Sequence, residues 1–222
     1  MKKNEIYIAD TEPLEDVALF EYLYRTLPQA RRQKIDRLRR VEDKRLSLGA
    51  GVLLSRALAY HGIDTYTVVE SAHGKPYLEG CGDLFFSLSH SGERVMCVLS
   101  PCEVGCDVQW MDPRIDPSLA DRFFAAEESA WVSSAPSDAE RTERFFRLWT
   151  LKESVMKATG KGFSLSPRDF SFSMESGELP RLWCASCDLS AFSSFEVYAE
   201  SDYRYAVCGI CNQSKDVSMI AF

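Results

Sequence analysis

The chain has 222 residues, 45% hydrophobic and 27% charged. That balance belongs to a folded domain long enough to build its own core, and it excludes collagen-like and disordered classes. With 26 basic and 33 acidic residues the net charge is −7, which argues against a nucleic-acid binder that works by neutralising phosphates but leaves room for a local basic patch.

The first segment, MKKNEIYIAD, reaches acidic residues too soon for a signal peptide. No window approaches the roughly 18 apolar residues of a membrane span. A cytoplasmic protein with its eight cysteines reduced, and with no membrane contact, is expected. Residues 5–9 read as a strand, and residues 14–26 place Leu14, Val17, Ala18, Tyr22 and Leu23 near helical spacing. Residues 29–47 hold the densest basic run, including Arg31, Arg32, Lys34 and Arg45. Such a run is either a solvated helical face or a cradle for a phosphorylated ligand. Residues 46–61 form an apolar helix ended by Gly62. Strand-like runs follow at Tyr66–Glu70, Leu84–Ser89 and Val95–Leu99, with turn chemistry at Gly74-Lys75-Pro76. Residues 103–110 predict another strand, and residues 117–133 and 140–160 predict helices separated by the loop-like SSAPSD. Phe170–Ser173, Phe195–Glu200 and Tyr203–Ile210 read as strands. The order of elements is α+β rather than alternating βαβ.

Four constellations could carry chemistry. In Glu103-Val-Gly-Cys-Asp-Val-Gln-Trp110, alternation makes Val104, Cys106, Val108 and Trp110 one apolar face. Asp107 and Gln109 then share the other face, about 7 Å apart, as oxygen donors for a hard cation or as polar residues facing water. Along Phe145–Lys157, Glu153 projects into an apolar helical arc, where a charge needs a partner or an ion. Lys152 lies between Leu148 and Met156 in that arc, and Glu153 and Lys157 are spaced for an i, i+4 ion pair. Arg122-Phe-Phe-Ala-Ala-Glu-Glu128 sets two carboxylates after an aromatic pair, the acidic edge of an amphipathic helix when taken alone. Finally, Ser87-Leu-Ser89-His90-Ser91-Gly92 ends a strand in hydroxyls and a histidine. A hydrolase would be expected to carry a G-x-S-x-G elbow, which is lacking, so phosphate contact by Ser89 and His90 is at least as reasonable.

Taken in order, GKP, SLSHSG, VGCDVQ, RFFAAEE and LWTLKES followed by Lys157 resemble the Sfp-type 4′-phosphopantetheinyl transferases over residues 31–165. That family carries G-K-P, S-H-S, (V/I)-G-(V/I)-D-(I/V)-E, F-x-x-x-E and W-(S/T/C)-x-K-E-(S/A)-x-x-K. The resemblance implies two similar α/β-sandwich halves about a pseudo-twofold, here residues 1–103 and 104–222, with coenzyme A between them. It implies transfer of 4′-phosphopantetheine from coenzyme A to a serine of an apo acyl or peptidyl carrier protein, releasing 3′,5′-ADP with Mg²⁺. Asp107 and Glu153 would be metal ligands. Gln109 stands where the family has Glu; its amide oxygen can coordinate but adds no charge. Glu128 would be the base or water-positioning group, with Glu153 as its rival. Lys157 would stabilise charge on the transferring phosphate, and Lys152 would support the phosphates or orient the carboxylates. Lys75, Ser89 and His90 fall where the family contacts coenzyme A phosphates, and Arg45, with Arg31 or Lys34, where it binds the 3′-phosphate. The implied protein is a monomer serving fatty-acid, polyketide or nonribosomal peptide synthesis.

Two other readings stand beside this one. Gln109 motivates a coenzyme A- or nucleotide-binding module without catalysis. Cys184-x-x-Cys187 and Cys208-x-x-Cys211 have a spacing near that of a zinc module, although Cys208 and Cys211 would point to opposite faces of a strand. The other four, Cys81, Cys97, Cys102 and Cys106, read as thiols.

Overall fold

The computed structural model describes residues 3–174, 180–184, 188–211 and 216–222. In chain order the first half supplies β1 (Glu5–Asp10), α1 (Val17–Thr26), α2 (Gln29–Asp36), α3 (Val41–Tyr60), β2 (Val68–Glu70), β3 (Pro76–Leu78), β4 (Phe85–Ser91) and β5 (Arg94–Ser100). The second half supplies β6 (Val104–Trp110), α4 (Ala120–Phe123), α5 (Ala126–Ser133), α6 (Asp138–Thr159), β7 (Phe170–Ser173), β8 (Arg181–Cys184), β9 (Ser193–Ala199), β10 (Tyr203–Gly209) and β11 (Val217–Ile220). One sheet has the order β11-β1-β5-β4 and another β6-β10-β9, with small hairpins β2-β3 and β7-β8. Among the described residues the pairings are antiparallel except β11 with β1. The chain is α+β, as expected.

Alternation along the strands builds the layers. Ala9, Val95, Cys97 and Leu99 pack with α3, whereas Ile6, Ile8, Met96 and Val98 pack against the second sheet. From that sheet Val104, Cys106 and Val108 of β6 join the shared layer. Its other face is covered by α6, where Leu148, Leu151 and Val155 meet Ala206 and Cys208. Gly105 faces α6 so closely that a Cβ would strike Ser154 O and Ala158 N. Only a residue without a side chain lets helix and strand backbones touch there.

β4 and β6 belong to different sheets, and hydroxyls join them. Ser87, Ser89 and Ser91 accept hydrogen bonds from the backbone N–H of Cys106, Val108 and Trp110 at 3.0, 3.2 and 3.0 Å. The alternate serines of SLSHS thus satisfy one edge of β6 in place of a neighbouring strand's carbonyls.

Several expectations change. The predicted helix 117–133 breaks at Phe124 and Ala125, both extended. The Glu128 carboxylate accepts from Ala125 N–H at 3.0 Å and so starts α5 afresh. The basic run is not one helix, because α2 ends at Asp36 and α3 starts at Val41. In SSAPSD, Ser137 caps α6, which ends at Gly160 in the left-handed region, φ +65°. β11 was not foreseen; it returns from the C-terminal end to pair with β1, so the first sheet draws on both ends of the chain.

The expectation of eight reduced thiols is corrected. Cys102 and Cys211 are joined as a disulfide, with Cα atoms 5.8 Å apart. That pairing also removes Cys211 from any zinc quartet. Cys208 is fully buried in the core beneath α6, and Cys184 donates to Asp169 O at 3.4 Å. Cys187 lies outside the described residues. Among the described residues no group of three or more His, Cys, Asp or Glu is placed to hold a metal. Among the described residues no helix is long and apolar enough to cross a membrane.

Candidate active site

Because β6 alternates, Asp107 points toward α6, and the 3.6-residue turn of α6 brings Glu153 and Lys157 to the same side. Asp107 is 4% exposed. Its Oδ1 accepts from Ser89 Oγ at 2.7 Å and from Lys157 Nζ at 2.7 Å. Lys157 also donates to Ser89 Oγ at 2.9 Å, closing a triangle of three side chains. The second oxygen, Oδ2, is buried with no hydrogen-bond partner. A buried carboxylate oxygen left open is costly unless something occupies it.

The environment tunes its neighbours. Burial raises the Glu153 carboxyl above the usual range and the Asp107 charge adds to this, while Lys157 pulls partly against both. Burial opposes the charge on Lys157, yet the attraction of Asp107 leads a set of favourable interactions that raise its pKa.

Glu153 and Lys157 line a cleft of about 760 Å³. Arg31 and Lys34 enter it from α2, Lys75 from the turn before β3 and His90 from β4. Arg31, Lys34, Lys75 and Lys157 against Glu70 and Glu153 make the cleft basic in a chain whose net charge is −7. Burial lowers the pKa of Arg31 and of Lys34. At His90, desolvation in the cleft and the charges of Lys157, Lys34 and Arg31 lower the ring pKa. Like charges held together in this way are stabilised by an anion. Glu153 and Met156 also line a smaller cavity of about 280 Å³, together with Phe123, Phe124, Trp149 and Arg122.

Not every expected residue joins this cluster. Glu128 is 2% exposed and both its oxygens accept, from Ala125 N–H at 3.0 Å, Phe172 N–H at 2.8 Å and Lys152 Nζ at 2.7 Å. Lys152 in turn donates to the carbonyls of Pro167 and Phe170, at 2.7 and 2.6 Å, with its ammonium 4.6 Å from the Phe170 ring centroid. This pair holds α5 and α6 to β7, and Lys152 lines the smaller cavity rather than the cleft. Arg45, expected at a phosphate, pairs with Glu15 and is absent from the cleft lining. Gln109 shares the Asp107 face, but its Nε2 donates to Trp110 O at 3.5 Å. Ser89 is 5% exposed and acts on Asp107 and Lys157 from behind. Sequence reasoning missed Tyr66, Gly160 and Gly162 in the cleft wall. It missed the edge-sealing role of Ser87 and Ser91 too, although serine at every second position was a legible signal.

A family profile described as the 4′-phosphopantetheinyl transferase superfamily matches residues 103–208. The chain is 32% identical over 189 residues to a 4′-phosphopantetheinyl transferase of Bacillus subtilis, covering 80% of each protein. It is 29% identical over 197 residues to the 4′-phosphopantetheinyl transferase Sfp of Bacillus subtilis strain 168, covering 86% of each. Among solved structures, a holo-[acyl-carrier-protein] synthase of Thermotoga maritima is a partial likeness, with TM-score 0.42 and 22% identity over 50% of this chain and 64% of that one.

Proposed function

This chain belongs to the 4′-phosphopantetheinyl transferases, and from that premise we propose that it moves the 4′-phosphopantetheine arm of coenzyme A onto a serine of an apo carrier protein. The observation that carries the reading is the open Asp107 Oδ2, set beside Lys157 and Glu153 at a basic cleft. A coenzyme carrying a pyrophosphate and a 3′-phosphate suits Arg31, Lys34, Lys75, His90 and Lys157, and we place it there.

In the proposed reaction the serine oxygen bonds to the phosphorus that bears pantetheine. The bond from that phosphorus to the bridging oxygen breaks, and 3′,5′-ADP leaves. The serine proton goes to a carboxylate. Glu153 is our candidate, because it lines the cleft beside Lys157 and keeps a second carboxylate oxygen to accept the proton when the first holds a cation. Glu128 is a poor candidate, since both its oxygens already accept from protein donors and it does not line the cleft. We therefore assign it a positioning role, holding Lys152 of α6 against β7. Lys157 offsets charge on the transferring phosphate, and Asp107 and Ser89 hold Lys157 in place.

Mg²⁺ suits the donor set: hard cations take carboxylate oxygens and keep waters and phosphates in their shell. Asp107 and Glu153 would hold it, with Gln109 as a neutral third donor. When bound, it would neutralise pyrophosphate charge and ease departure of 3′,5′-ADP. We further propose a cytoplasmic monomer, divided near residues 103 and 104 into two pseudo-twofold halves and joined by β11. Its carriers would belong to fatty-acid, polyketide or nonribosomal peptide synthesis.

The test is incubation with coenzyme A, Mg²⁺ and several apo carrier proteins, followed by mass measurement of the carrier. The expected result is a gain of one phosphopantetheinyl group, lost on chelation of the metal. Coenzyme A binding without transfer to any carrier would overturn the enzyme reading and leave the binding module that Gln109 motivates.

A further inference from the structure

Lys75 is 8% exposed and lines the cleft, yet its ammonium is largely committed elsewhere. Nζ donates to the Glu103 carboxylate and, at 2.7 Å, to the carbonyl of Ala158 near the end of α6. The other Glu103 oxygen accepts from Tyr77 Oη at 3.1 Å. One ammonium therefore ties three segments together: the turn before β3, the entry to β6, and the end of α6. Gly160 makes room for it, because a Cβ there would stand 3.0 Å from Lys75 Cδ. An ammonium has three donors. Two are used, so one remains for a ligand. Burial lowers the Lys75 pKa and Glu103 counters the fall. Without a carboxylate partner, a desolvated ammonium would be left with one carbonyl.

We infer that Glu103 is a positioning residue for coenzyme A: it anchors Lys75 between the two halves and thereby fixes the cleft wall that Lys75 and the end of α6 form together. The inference rests on the transferase reading for its ligand. Its geometry stands on residues outside the Asp107 cluster.

The test is a double-mutant cycle with Glu103→Gln and Lys75→Met, read by calorimetric coenzyme A binding and by steady-state transfer. Glu103→Gln is expected to raise Kd and KM for coenzyme A about tenfold, the scale of one charge-assisted hydrogen bond, with kcat changed less than about twofold. Glu103→Asp should recover part of that loss. If Glu103 acts through Lys75, the double variant binds coenzyme A as Lys75→Met does alone. Additive losses would overturn the inference, as would an unchanged Kd in Glu103→Gln or a fall in kcat at constant KM. Thermal midpoints of all variants separate a general loss of fold, which would lower kcat as well. A wild-type chain that binds coenzyme A without transferring would sink the transferase reading alone. One that binds none would sink both.

Discussion

Two carboxylate–lysine pairs flank α6, and their ion-pair distances are the same, 2.7 Å for Glu128 with Lys152 and 2.7 Å for Asp107 with Lys157. They differ in what is left over. Around Glu128 and Lys152 the remaining bonds go to backbone groups of three segments, and both side chains are 1% exposed. Around Asp107 one oxygen stays open and the lysine looks into a cleft. In the first pair both carboxylate oxygens are engaged by protein groups, whereas the second keeps an atom that could meet a ligand. Chemical type and spacing are alike in the two places, and completeness separates them.

The comparison is easiest to break at the saturated pair. Glu128→Ala should destabilise the fold by about 3–5 kcal/mol, because it leaves Lys152 charged, buried and without its carboxylate. Denaturant unfolding measures this. If Glu128→Gln kept its unfolding midpoint and lost transfer, Glu128 would belong to the chemistry and the contrast would collapse.

Asp107→Asn should do the reverse. Transfer is expected to fall about 10²–10³-fold, which is about 2.7–4 kcal/mol of barrier, with little change in the unfolding midpoint. Near-normal turnover would remove Asp107 from the mechanism. Gly105→Ala sharpens the contrast by moving the frame that holds the open pair. The added methyl meets the α6 backbone, so stability should drop by about 1–3 kcal/mol and transfer should fall with it. Loss of stability with full activity would mean that α6 can shift without disturbing Lys157 and Glu153.

Much of the open pair was legible in the sequence. Strand alternation placed Asp107 opposite Val104, Cys106 and Val108, and the structure keeps that face. Helical periodicity set Glu153 in an apolar arc with an unmet need for a partner, and it now lies within reach of the Asp107 and Lys157 charges. The basic run was legible as a phosphate cradle only in part. Arg31 and Lys34 reach the cleft from α2, but the chain breaks between Asp36 and Val41, and Arg45 turns to Glu15. The predicted single helix over 117–133 failed for a related reason. Glu128 caps a new helix at Ala125, and a side-chain bond of that kind competes with continuous helix in a way periodicity does not record.

By itself the sequence determined the faces of β6 and α6 and the order of the motifs, because periods of 2 and 3.6 residues are properties of the local chain. Only the tertiary structure decided which carboxylate was filled and which stayed open. The Phe172 N–H that completes Glu128 lies 44 residues away, and the Ser89 hydroxyl that orients Asp107 lies 18 residues away on a strand of the other sheet. Whether a buried charge is satisfied depends on every donor that packing brings to it, and those donors come from segments that no local pattern connects.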